Sequence, residues 1–177
     1  MNFFKQFAFL SVCIFVLAST GSLRAEEFAV YENKAAGLKL RHPAAWVQDE
    51  KVPGVLVAFG APKEKANLDL VENVTLMVHD VTPETSTLEK YTQKYVAELA
   101  SDTSDAKIVE SHETVLAGLP AHRIVCVGKH GKFDIQFSQI WALNKGKAYL
   151  CTYGAPKATY PKFLSEAEGI MASLEFV

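Results

Sequence analysis

Residues 121–153 read AHRIVCVGKHGKFDIQFSQIWALNKGKAYLCTY, and the fold is decided there. Three runs, Ala121–Val127, Phe133–Leu143 and Lys147–Tyr153, are rich in β-branched and aromatic side chains, which suit a pleated, half-buried surface. The connectors between them are short and carry Gly131 and Gly146, and glycine accepts the positive φ of a tight hairpin turn. The stretch therefore predicts an antiparallel meander. Two-residue turns at His130-Gly131 and Lys145-Gly146 would set Cys126 opposite Ile135 and Cys151 opposite Ile140. That odd offset along the middle strand turns the two thiols to opposite faces, so Cys126 and Cys151 are expected to stay unpaired.

Towards the C-terminus, Tyr160, Phe163, Leu164, Ala167, Ile170, Met171 and Leu174 recur at helical spacing, and Pro161 suits the first turn of such a helix. Leu174 to Val177 is expected to close as a short strand. Towards the N-terminus, Lys107 to Leu116 predicts a strand before a turn at Gly118-Leu119-Pro120. Leu88, Tyr91, Tyr95 and Leu99 predict a helix over 87–100, entered through a capping box in which Ser86 accepts from the backbone and Glu89 reaches back. Val74–Val78 and Val55–Phe59 read as strands, the second buried on both faces, with a polar loop over 61–69 between them. Leu38 and Leu40 alternate with charge in a strand ended by Pro43. The fold class is α+β, an antiparallel sheet with two helices packed on it and a C-terminal meander and helix.

The chain opens with Lys5 before an apolar run from Phe7 to Leu17, followed by small and polar residues to Ala25 and then Glu26-Glu27. This is the order of a secretory signal peptide, and the run is shorter than the roughly 20 residues that span a bilayer. Residues 1–25 are expected to be removed near Ala25, leaving 26–177 as a single domain, periplasmic or secreted, with no transmembrane segment. Cleavage removes Lys5 and Arg24 and no acid, leaving 16 basic and 20 acidic residues and a net charge of about −4. Mild acidity gives no electrostatic reason to expect a nucleic-acid partner.

Chemistry-bearing residues are scattered. His42, His79, His112, His122 and His130 fall one per element, without the i, i+4 spacing of a helical metal site, and there is no Cys-x-x-Cys. His79, Asp80 and Glu84 form the candidate metal set, since an imidazole and two carboxylates could converge at a strand end. No Gly-x-Ser-x-Gly elbow or Gly-rich phosphate cradle is present, so neither a catalytic residue nor a cofactor is expected. Lys129, His130 and Lys132 mark one basic hairpin tip and Lys145 with Lys147 another, at opposite ends of the meander.

Tyr31, Gly37-Leu38-Lys39-Leu40, Pro43, Trp46, Phe59 and Pro62, then Gly118-Leu119-Pro120-Ala121, Ala148-Tyr149, Thr152-Tyr153, Tyr160, Phe163 and Ser173-Leu174-Glu175-Phe176, occur in the order of landmarks in PsbP-like domains. The chain resembles that family over nearly all of its length after residue 25. The resemblance implies an α/β/α sandwich and a place among photosystem II extrinsic subunits and assembly factors or among DcrB-like bacterial envelope proteins, none an established enzyme. Almost no arm separates the signal peptide from the first strand and the cyanobacterial lipidation cysteine is absent, which argues against a photosystem role. The expected function is a non-enzymatic envelope protein that binds or helps assemble a protein or membrane complex. The alternative is a small-ligand or metal-binding carrier, or an enzyme, with its site in a cleft between sheet and helix.

Overall fold

The structure is a computed structural model and describes residues 27–62, 72–102 and 106–177. The expected signal peptide and most of the loop after Ala61 lie outside the described residues. Two antiparallel sheets organise the chain. The smaller has β1 (Phe28–Asn33), β2 (Leu38–Pro43) and β10 (Glu175–Phe176) in the order β1-β2-β10. The larger contains β3 (Val47–Asp49), β4 (Val57–Gly60), β5 (Asn73–Asp80), β6 (Lys107–Leu116), β7 (Leu119–His130), β8 (Phe133–Asn144) and β9 (Lys147–Pro156), in the order β3-β4-β5-β9-β8-β7-β6. Helices α1 (Leu88–Asp102) and α2 (Tyr160–Ala172) complete it.

The seven-stranded sheet separates two cores. On one face α2 and β2 bury Leu38, Leu40, Phe59, Leu76, Tyr153, Ile170 and Leu174. On the other, α1 covers Ile124, Cys126, Trp141 and Leu150. The chain end is tied down by the Val177 amide donating to the Gly37 carbonyl at 2.9 Å. Gly37 sits at φ +65°, a left-handed turn conformation that glycine adopts without strain, and an added Cβ would stand at ordinary contact distance, 3.4 Å, from the Val177 carbonyl oxygen.

Three local expectations are corrected. Ser86 does not cap α1: its hydroxyl donates to the Pro83 carbonyl, closing a 3₁₀ turn that Pro83 starts, and Thr87 accepts from the Lys90 amide instead. The turn before β7 lies on Ala117-Gly118, both with positive φ, and Leu119 already pairs with Leu116. The β7–β8 turn is Gly131-Lys132, with positive φ only at Gly131, so His130 pairs with Phe133 and Cys126 faces Phe137 rather than Ile135. The β8–β9 turn stands as read, with Cys151 opposite Ile140.

The offset along β8 is thus three residues, still odd, and the two cysteines belong to different cores. Strands β7 and β9 flank β8, about 10 Å apart, beyond the roughly 7 Å that a disulfide spans. Burial pushes the Cys126 thiol up to about 11 and the Cys151 thiol up to about 12, so neither ionises appreciably at neutral pH. A thiol reagent at pH 8 is expected to leave both untouched in the native protein and to count both after denaturation without reductant. An intramolecular disulfide would refute the strand order.

Candidate functional site

The cleft between β5 and α1 is where sequence and structure bring polar groups together. β5 ends at His79-Asp80, opposite Ala148 and Lys147 of β9, and the chain then turns back through Pro83–Thr85 into α1. Alternation along β5 points His79 to the α1 face, where its Nε2 lies 2.9 Å from the Tyr91 hydroxyl, and the two rings stack at 5.7 Å. Asp80 pairs with Lys147 at 2.7 Å. That ammonium holds the Asp80 carboxyl below its usual range.

Deeper in, Tyr91 stacks on Tyr95, and the Tyr95 hydroxyl donates to Gln139 Oε1 at 3.1 Å. Gln139 Nε2 passes the chain to Thr152 Oγ1 at 3.1 Å. Beside it, Trp141 Nε1 donates to Thr92 Oγ1 at 3.0 Å. Burial raises both tyrosine hydroxyls, so they act as neutral hydrogen-bonding groups that fasten helix to sheet. The cleft has a volume of about 270 Å³, with Lys94 and Glu98 on its outer wall.

Of the three metal candidates, His79 and Asp80 line this cleft and Glu84 does not. Glu84 stands exposed on the 3₁₀ turn, its carboxyl lowered by a hydrogen bond at Thr82. Among the described residues no three His, Cys, Asp or Glu side chains gather closely enough to hold a metal ion.

A second constellation went unseen in the sequence. Ser111 Oγ lies 2.9 Å from His122 Nε2, within the distance of a nucleophile and its base. Burial, with His112 nearby, holds the His122 imidazole below its usual pKa, so it is neutral at pH 7. Its ring stacks on Trp141 at 5.3 Å, and no hydrogen bond to a described residue fixes Nδ1, so the orienting third member of a triad is missing. Its only signal was the turn itself, which alanine does not mark: placed at Ala117-Gly118, it pairs Glu113 with His122 and makes Ser111 a diagonal neighbour on the same face.

Where α1 ends its cover, the same face of the sheet is open over β3, β4 and β5. A hollow of about 600 Å³ is bounded by Val47, Val52, Ala58, Gly60 and Ala61, with Asp49, Asn73 and Thr75 at its margin. Val47 is 67% exposed and Val52 36%. The lining is mostly apolar, and its three polar side chains, Asp49, Asn73 and Thr75, include no histidine or cysteine.

Among solved structures the chain is similar to cyanobacterial PsbP (CyanoP) from Synechocystis sp. PCC 6803, at 17% identity over 91% of this chain and 99% of that one, TM-score 0.59. It is also similar to LpqN, involved in cell envelope biogenesis of Mycobacterium tuberculosis, at 11% identity over 85% and 91%, TM-score 0.62. A protein of unknown function from Pseudomonas aeruginosa, PA94, matches at 13% identity over 82% and 94%, TM-score 0.57. These likenesses are of fold. No curated protein matches the chain by sequence. The family described as PsbP-like protein matches residues 17–176, and the antiparallel sheet with helices packed on it that the resemblance implied is in place; the chain belongs to the PsbP-like family.

Proposed function

We propose that this PsbP-like protein is a non-enzymatic component of the cell envelope that binds, or helps assemble, another protein or membrane complex. The observation that carries the reading is the apolar hollow over β3–β5. Val47 left 67% exposed and Val52 36% exposed at the rim of a 600 Å³ concavity are what a docking partner covers, and scattered surface apolar residues do not form such a concavity. The partner it suits is a protein that presents apolar side chains, with Asp49 and Asn73 at the polar rim. Membership in a family with envelope-associated neighbours supports the same reading. No helix among the described residues is long and apolar enough to cross a membrane.

The test is capture of partners from the native host with the tagged protein and two variants. V47D/V52D changes only surface positions, so stability should shift by less than about 1 kcal/mol, while the captured set is lost. Val115→Asp, on the opposite edge strand at a valine 64% exposed, should retain it. The same set captured by all three proteins would sink the proposal.

The proposal includes export of residues 26–177 as one domain, with the signal peptide removed after Ala25. Ala25 is small, Leu23 is tolerated two positions before it, and Glu26-Glu27 opens the mature chain. Intact-mass analysis of the exported protein is expected to give a chain beginning at Glu26. Residues 1–25 retained in a membrane fraction would overturn export in soluble form.

A second reading, a small-ligand carrier with its site between sheet and helix, is favoured by one fact, that His79 and Asp80 share the β5–α1 cleft. It predicts that His79→Ala abolishes ligand binding without loss of partner capture.

A further inference from the structure

At the end of the large sheet where β6 begins, β7 and β9 end and β8 starts lies a hollow of about 410 Å³. Lys107 opens β6, Lys129 stands near the end of β7, and Lys157 follows β9 directly; all three line it. Val127, Gly128 and Ile135 line the rest with Asp134, the one carboxylate among the described lining residues. The three lysines are exposed, and among the described residues no ion pair engages any of them. Asp134 faces Lys129 across the β7–β8 ladder without closing to ion-pair distance.

Three ammonium groups drawn from separate stretches of the chain repel one another, and they do so in a sequence where acids outnumber bases by 20 to 18. Here the charges ring a concavity with half-buried Val127 and Ile135 in its lining, which accepts an apolar body as well as an anion. A phosphate meets several ammonium groups at once because its charge is spread over its oxygens, and lysine serves it as a point charge. The volume exceeds what a bare phosphate ion needs. We propose that this hollow binds a phosphate group carried on a small organic body, of the size of a glycerophosphate headgroup. It lies apart from the Val47 hollow and does not depend on the function proposed above.

Calorimetric titration of the full chain with glycerol 3-phosphate, inorganic phosphate and glycerol tests it, together with sedimentation on phosphatidylglycerol and phosphatidylcholine vesicles. Glycerol 3-phosphate is expected to bind saturably, about tenfold more weakly to K129Q/K157Q and about threefold more tightly to Asp134→Asn. Lys145→Gln, at the opposite end of the meander, is expected to change nothing. Co-sedimentation with phosphatidylglycerol alone, lost in K129Q/K157Q, supports the proposal with a lipid as the source of the phosphate; glycerol 3-phosphate binding without co-sedimentation supports it with a soluble ester. No saturable binding of glycerol 3-phosphate and no co-sedimentation, or binding to K129Q/K157Q as tight as to the unsubstituted chain, overturns the site. Inorganic phosphate bound as tightly as glycerol 3-phosphate overturns the organic body. Partner capture through Val47 is expected to be unchanged in K129Q/K157Q, which separates failure here from failure there.

Discussion

Ile170→Asp is expected to lower the unfolding free energy by about 4 kcal/mol or more, a large part of the 5–15 kcal/mol that holds a domain folded. Ile170 is 1% exposed at the middle of the α2 stripe, in the core that α2 and β2 close over the large sheet. The substitution removes a branched apolar side chain and leaves a carboxylate facing apolar neighbours. Two companions separate the causes. Ile170→Val keeps the apolar character and should cost about 0.5–1.5 kcal/mol. Ser165→Asp adds the same charge on the exposed side of the helix and should stay within about 0.5 kcal/mol. Urea denaturation of the three variants reads all of this, and equal midpoints for Ile170→Asp and Ser165→Asp would mean that the buried face of α2 is wrongly assigned.

That face was legible because a helix repeats its environment every 3.6 residues, and seven apolar side chains from Tyr160 to Leu174 fit one stripe without exception. The meander was legible for a similar reason, with two-fold alternation broken by glycine. Register was harder, since moving a two-residue turn by one position moves every pair by two: Gly131 supplies positive φ equally well as first or second turn residue, and the sequence does not say which. Ala117, an L-residue at φ 51°, hid the β6–β7 turn because alanine is not a turn signal. The small sheet was half seen. Leu38 and Leu40 declared β2, and the strand near the C-terminus was expected, but nothing local tells β10 to pair with β2 rather than with the meander.

The sites divide along the same line. His79 and Asp80 could be placed at a strand end from local pattern, and they share a cleft. Their partners could not, because Tyr91 and Lys147 arrive through helix docking and strand pairing at long sequence separation. The lysine hollow shows the limit most sharply. Lys129 and Lys132 were visible as a hairpin tip, but Lys107 and Lys157 join Lys129 only because β6 starts and β9 ends at the same end of the sheet. Conversely, His79, Asp80 and Glu84 lie within six positions in sequence, yet the 3₁₀ turn that Pro83 starts carries Glu84 away from the cleft.

Trp141→Ala is expected to cost about 3–5 kcal/mol and to loosen α1 from the sheet. Trp141 is fully buried, and its ring is ringed by Tyr95 at 5.0 Å, His122 at 5.3 Å and Tyr91 at 6.3 Å. Truncation leaves a cavity beneath the helix and strips Thr92 Oγ1 of its indole donor. Trp141→Phe keeps most of the packing and loses chiefly that hydrogen bond, so about 1–2 kcal/mol is expected. The two-core architecture adds a sharper test. Trp141 belongs to the core on the α1 side of the sheet and Ile170 to the core on the α2 side, so W141F and I170V should be additive within about 0.5 kcal/mol. The measurement is a double-mutant cycle by urea denaturation followed by far-ultraviolet circular dichroism, since Trp141 is present in only two of the four proteins. A coupling above about 1 kcal/mol would show that the two layers are packed against each other rather than separated by the sheet.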